Sequence, residues 1–151
     1  MGIKSFGPSK KSRYLQGYFE NAKKYFGPLP IIYRSSWELL TMQKLEFNPA
    51  VEKWSSEHVS IPYTMQEKKD GKFVSVRHTY YTDFTVHTKD GKKYILEVKP
   101  LSLSPLNESQ IKSNPAIYKN ACKWKAALAW CKLNGYEFKV ITEQHLKTRI
   151  F

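Results

Sequence analysis

Tyr81-Thr82-Asp83-Phe84-Thr85-Val86-His87-Thr88-Lys89-Asp90-Gly91-Lys92-Lys93-Tyr94-Ile95-Leu96-Glu97-Val98-Lys99 reads as two strands joined by a tight turn, and its register decides how the rest of the chain is understood. β-Branched and aromatic residues fill both arms, and Lys89-Asp90-Gly91 supplies the turn. If the loop has three residues, a type I turn closed by Gly91 in the left-handed conformation, Thr88 pairs with Lys92. Asp83 then falls opposite Glu97. Cross-strand partners share a face, so the two carboxylates point the same way, and Lys99, two residues beyond Glu97, joins them. Phe84, Val86, Leu96 and Val98 make the opposite, apolar face. A two-residue loop centred on Asp90-Gly91 would pair Asp83 with Val98 and send the acids to opposite sides, so the three-residue loop is a requirement that a structure tests.

Working outward, residues 73 to 88 and 92 to 99 are read as the strands flanking this turn. Upstream, Val59, Ile61 and Tyr63 alternate with polar residues before a turn at Lys69-Asp70-Gly71, which predicts a central meander of three or four strands. Trp37, Leu39, Leu40, Met42 and Leu45 recur at helical intervals until Asn48-Pro49 stops them. Residues 1 to 30, with Gly7-Pro8-Ser9-Lys10-Lys11-Ser12 and Gly27-Pro28-Leu29-Pro30, lack either period and are read as a basic arm, partly extended and draped over a domain of residues 31 to 151. Pro100 to Pro115 reads as a loop with room for a helical turn. Ala116 to Asn134 predicts a long helix with Ile117, Ala121, Trp124, Leu128 and Cys131 on its buried stripe and a stop at Asn134-Gly135. Tyr136 to Ile141 alternates as a strand, and Thr142 to Leu146 starts a last helical turn. The order helix, antiparallel strands, helix, strand predicts an α/β chain of the α+β kind.

At 151 residues the chain is long enough for one core and too short for two ordinary domains. Lys and Arg number 25 against 13 Asp and Glu, a net charge of +12, interleaved with 10 Tyr, 8 Phe and 4 Trp. This balance points to nucleic acid, whose phosphates release counterions to cationic side chains and whose bases stack on rings. It is shared with structural virion proteins. Cys122 and Cys131 lie on different faces of one helix, which argues against a mutual disulfide and for a reducing compartment. His58, His78, His87 and His145 show no zinc-ligand spacing. No apolar run approaches a membrane span and no signal core opens the chain, so a soluble, intracellular protein without a membrane partner is expected.

Two carboxylates facing each other on neighbouring strands repel unless a cation lies between them, and oxygen donors without imidazole or thiolate suit Mg²⁺ or Mn²⁺. Such an ion grips a phosphate, stabilises charge developing on its oxygens and acidifies a bound water. Lys99 beside it can orient that water or neutralise the phosphate. Read from the residues alone, Ser35-Ser36-Trp37-Glu38 is a capping box, with Ser35 as the cap and Glu38 reaching back to its amide.

Asp83 with Glu97-Val98-Lys99 resembles the PD-(D/E)xK nuclease superfamily. The resemblance implies a restriction-endonuclease-like core, a mixed central sheet with an antiparallel hairpin flanked by helices. It also implies that Glu38, on the first helix, is a third metal ligand or a base beside Asp83 and Glu97. Thr82 stands where the superfamily usually has proline, which puts the local turn in question more than the chemistry. The blocks Tyr33-Arg34-Ser35-Ser36-Trp37-Glu38, Trp54-Ser55-Ser56-Glu57, Ile61-Pro62-Tyr63, Tyr81-Thr82-Asp83-Phe84 and Glu97-Val98-Lys99-Pro100 are, in their order and intervals, similar to the head completion nucleases of T-even-like tailed phages. Those are related in turn to the endonuclease subunit of Tn7-type transposons. The resemblance implies a Mg²⁺-dependent deoxyribonuclease that cleaves DNA at the portal end of a packaged head. It would work in the host cytoplasm during assembly, beside portal or neck proteins, and could stay in the virion.

Arg34 and His78 are candidate phosphate contacts, and Lys10, Lys11, Arg13, Lys23 and Lys24 on the arm are candidates for nonspecific contacts to the DNA backbone. Glu57 reads as an ion-pair or strand-start residue, and the Trp124, Leu128 and Trp130 helix as core and flank. The competing function is a non-catalytic head or neck protein that binds DNA as a plug. Retention of all four polar residues, Glu38, Asp83, Glu97 and Lys99, favours catalysis, since a plug has no need for a lysine aligned with two acids. A homodimer fits an enzyme that cuts both strands, although no self-complementary apolar patch is visible in the sequence.

Overall fold

In a computed structural model that describes residues 15–105 and 107–151, the chain forms strands β1 (Gly17–Tyr18) and β2 (Ile32–Tyr33), helix α1 (Ser36–Phe47) and strands β3 (Val51–Ser56), β4 (Ser60–Lys69), β5 (Lys72–Tyr81), β6 (Phe84–Thr88) and β7 (Lys93–Val98). A 3₁₀ turn over Leu101–Leu103, helices α2 (Glu108–Ser113) and α3 (Pro115–Asn134), strand β8 (Glu137–Ile141) and helix α4 (Glu143–Lys147) follow. The central sheet has the order β3-β6-β7-β8, antiparallel except for the parallel pair β7 and β8. That parallel pair needs a crossover, which α2 and α3 provide. The mixed sheet flanked by helices expected for a restriction-endonuclease-like fold is present.

The hairpin behaves as its turn chemistry requires. Phe84 pairs with Leu96 and His87 with Lys93, the Thr88 amide donates to the Lys92 carbonyl at 2.9 Å, and Gly91 takes φ 87°. The loop is therefore Lys89-Asp90-Gly91, and the register places Asp83 opposite Glu97. Phe84, Val86 and Leu96 pack with Leu39, Met42 and Leu45 of α1, all essentially without solvent exposure, and Val98 packs against the same core. Asn48 and Pro49 end α1 as the sequence predicts.

Three expectations are corrected. There is no continuous meander: residues 73 to 88 are two strands broken at Thr82-Asp83, and β4 with β5 forms a separate two-stranded ribbon. The break is held by Thr82, whose amide and hydroxyl both donate to the Val59 carbonyl, at 3.0 and 2.8 Å. On α3 the buried positions are Ile117, Asn120, Ala127 and Cys131, while Leu128 is 57 % exposed. The helix is rotated from the expected stripe because Asn120 turns inward to donate to the Leu103 carbonyl at 2.9 Å. The 100 to 115 segment carries two helical pieces, the second capped by Asn107.

Residues 15 to 30 lie against the core. Gly17 pairs with Tyr33, Leu15, Phe19, Ala22 and Tyr25 pack on the main cluster, and Trp54 accepts the Phe26 amide while donating its own to the Lys24 carbonyl, both at 3.0 Å. Glu46, buried at the end of α1, accepts from the Trp54 indole at 2.9 Å and from the amides of Lys23 at 2.7 Å and Lys24 at 3.3 Å. Both cysteines are free, and no described helix is long and apolar enough to cross a membrane.

Candidate active site

Asp83 sits where β5 gives way to β6, between two neighbouring strands. Its carbonyl accepts the Glu57 amide at 3.1 Å, and its carboxylate Oδ2 accepts the Val98 amide at 2.7 Å, which carries the β6–β7 ladder one step further through a side chain. Glu97 is buried on β7. Its Oε2 accepts the Tyr80 hydroxyl and its Oε1 lies 3.6 Å from the Lys99 Nζ. Lys99 continues the parallel pairing by donating its amide to the Ile141 carbonyl at 2.9 Å. The three polar side chains expected on one face of the hairpin are therefore gathered there.

The electrostatics follow from crowding of like charge. Asp83 keeps a little solvent contact, yet burial followed by the nearby Glu97 charge holds its carboxyl well above the usual carboxylate range. The Val98 amide and Lys99 pull the other way and are outweighed, and Glu38 adds to the rise. Glu38 is itself pushed up, first by burial and then by Glu57 and Glu97, against the opposing pull of Arg34. Burial and Glu97 together hold the Tyr80 phenol far above its ordinary value, so it is a hydrogen-bond donor throughout the physiological range.

Glu38 stands at the start of α1, where Ser35 caps the helix by accepting the Glu38 amide at 3.1 Å. The capping box is half realised: the Glu38 carboxylate takes the Arg34 amide at 3.1 Å instead of the amide of Ser35. It lies within electrostatic reach of both Asp83 and Glu97. Arg34 forms an exposed ion pair with Glu57 at 2.9 Å, the role expected of Glu57. His78 is on β5, stacked on Tyr63 and hydrogen-bonded to Glu67. Lys23 and Lys24 lie at the opposite end of α1 from Glu38, about 12 Å along the helix axis at 1.5 Å per residue. The Lys24 ammonium donates to the Asn48 carbonyl at 2.8 Å. Lys10, Lys11 and Arg13 fall outside the described residues.

Two neighbours of the site carried no signal in the sequence. Tyr80 becomes a partner of Glu97 only because the strand breaks at Thr82, and Lys123 is one of several lysines on α3. The Lys123 ammonium lies 5.3 Å from the centre of the Tyr80 ring. Burial lowers its pKa, while Glu97 and Asp83 pull it up and Lys99 and Lys119 repel it.

The family model for the TnsA-like endonuclease N-terminal domain matches residues 48–143 of the 151. The chain belongs to the TnsA-like endonucleases. The matched span holds Asp83, Glu97, Lys99, Tyr80 and Lys123, leaving Glu38 and the N-terminal segment outside it. This TnsA-like chain is also 31 % identical over 145 residues to the head completion nuclease of Enterobacteria phage T4, covering 85 % of its own length and 89 % of that relative.

Proposed function

We propose that the protein is a metal-dependent DNA endonuclease of the PD-(D/E)xK type that hydrolyses phosphodiester bonds, with Asp83, Glu97, Glu38 and Lys99 as its active-site residues. The observation that carries this reading is the hairpin register, which seats Asp83 opposite Glu97 with Lys99 3.6 Å from the Glu97 carboxylate. Among the described residues no three His, Cys, Asp or Glu are grouped as a ready-made metal cluster. Mg²⁺ does not need one, because it is commonly held by one or two carboxylates with water and substrate phosphate completing its shell. Asp83, pushed toward the neutral state by burial and by the Glu97 charge, forms with Glu97 a donor pair whose crowding a divalent cation would relieve, so the residues fit Mg²⁺ or Mn²⁺. When bound, the cation would act as a Lewis acid toward the phosphate and acidify a water.

The chain's own residues then have separable tasks. Tyr80 holds Oε2 of Glu97, which leaves Oε1 on the side of Lys99. The Val98 amide fixes Oδ2 of Asp83 and leaves Oδ1 for a ligand. Lys99 offers a positive charge to the attacking water and the phosphate, and Glu38 supplies a third negative charge at the helix N-terminus, favoured there by the helix dipole. The net charge of +12 supports DNA as the substrate, and the phage relative, a head completion nuclease, supports action in head completion. To this we add, as a proposal, action after packaging, inside the host cell and beside portal or neck proteins.

The test incubates the protein with linear and supercoiled duplex DNA in Mg²⁺, Mn²⁺ or EDTA, beside Asp83→Ala. Metal-dependent cutting that falls by about 10³-fold or more in the variant is expected from loss of a principal ligand. Tight binding with no cutting under either metal would replace this reading by a non-catalytic DNA plug in the head.

A further inference from the structure

Strands β4 and β5 leave the central sheet as a ribbon with two ten-residue arms, closed by Asp70-Gly71 with both residues at positive φ. The register from Ser60 opposite Tyr81 to Lys69 opposite Lys72 sorts the side chains onto two faces. One face carries Ile61, Tyr63 and Tyr80, which pack with Ala127 of α3. The other presents Lys68, Gln66 and Thr64 opposite Phe73, Ser75 and Arg77, all exposed, and ends at the exposed Tyr81.

This outward face has no carboxylate. The only acid on the two arms, Glu67, is on the other face and paired with His78. Phe73 is 72 % exposed and Tyr81 68 %, so an aromatic ring stands in water at each end of a polar, cationic strip. The strip ends at Tyr81, beside the Thr82 break and two residues before Asp83 along the chain, while Tyr80 on the inward face is the ribbon residue that reaches Glu97. From Tyr81 to Phe73 the strip spans about 26 Å at 3.3 Å per residue. The major groove of a duplex admits a two-stranded β-ribbon of this width and offers base-edge acceptors between two rows of phosphates. Uncharged hydrogen-bonding side chains flanked by Lys68 and Arg77 match that pattern.

We propose that the outward face of the β4–β5 ribbon lies in the major groove of duplex DNA and anchors the duplex beside the candidate active site. Double-stranded DNA is then the substrate class. The inference rests on the endonuclease reading for the role of the site, but the ribbon can be tested without cleavage.

The variant is Lys68→Ser combined with Arg77→Ser, two exposed positions, with the thermal midpoint confirming that it folds. Binding to a duplex and to the matching single strand is followed by fluorescence anisotropy in EDTA across a salt series. The wild type is expected to prefer the duplex. The variant should bind it roughly tenfold more weakly, with a salt slope smaller by about 2, one unit for each phosphate that is no longer neutralised. Hydroxyl-radical footprinting should protect on the order of 8 base pairs along the ribbon, a stretch that contracts in the variant. Unchanged affinity and slope in the variant, or a wild-type preference for single strands, would overturn the proposal. A protein that cuts DNA while the variant binds like the wild type sinks the ribbon alone. One that binds through the ribbon but never cuts in Mg²⁺ or Mn²⁺ sinks the nuclease reading alone.

Discussion

Asp83 is the residue on which the site's energetics turn, because the fold holds a carboxyl there against its preferred charge state. Its folded pKa is raised above the ordinary value of about 3.9, so the fold favours the protonated form. The stability this lends is complete below that ordinary value and is lost as pH rises through the raised one. In EDTA the urea midpoint of the wild type should therefore fall relative to that of Asp83→Asn as pH rises above the ordinary carboxylate value of about 3.9, since the variant has no charge to accommodate. Parallel curves for the two proteins would show that the acid is not strained. Glu38 shifts in the same direction and should add to the slope. That Asp83, Glu97 and Lys99 would share one face of the hairpin was legible in the sequence, because strand alternation is a local rule. Tyr80 and Lys123 were not, because their approach to Glu97 is made by elements distant along the chain.

At the scale of elements, the hairpin shows what turn chemistry can decide by itself. Gly91 at positive φ sets a three-residue loop, and the loop sets which acids meet. Where a strand breaks is a different question, since the break at Thr82 depends on two hydrogen bonds to Val59 on another segment. No local pattern in residues 73 to 88 marks it, and the expected meander failed there. The rotation of α3 has a similar origin, because Asn120 is drawn inward by a carbonyl of the preceding 3₁₀ turn. Thr82→Pro introduces the proline usual in the superfamily that the motif resembles, but removes the amide donor. It should cost about 1–2 kcal/mol by chemical denaturation, more than Thr82→Val, which keeps the amide. Equal losses in both variants would assign the pinning to the hydroxyl alone.

Across the whole molecule, one carboxylate adds a buried tie between residues 15 to 30 and the core they pack on. Glu46 gathers the Trp54 indole and the amides of Lys23 and Lys24, joining α1, β3 and residues 23 to 24 at a single buried point. Nothing in the sequence marks Glu46 as buried, since a glutamate near the exposed end of a helix ordinarily faces water. Glu46→Ala leaves three donors without an acceptor and should destabilise the fold by about 2–4 kcal/mol, with hydrogen exchange accelerated first at residues 23 to 26. A loss below about 0.5 kcal/mol would mean that water replaces the carboxylate without penalty.

The position of that segment on β3 has a further consequence. β3 is an outer strand of the central sheet, and Trp54 directs both its amide and its carbonyl away from β6, to Lys24 and Phe26. A chain trimmed beyond Gly27 would leave those two groups open on a strand whose other side is already paired. Such a margin is a template onto which another copy can add itself, so the expected fate of the trimmed protein is self-association strand by strand, visible as light scattering while the core is still folded.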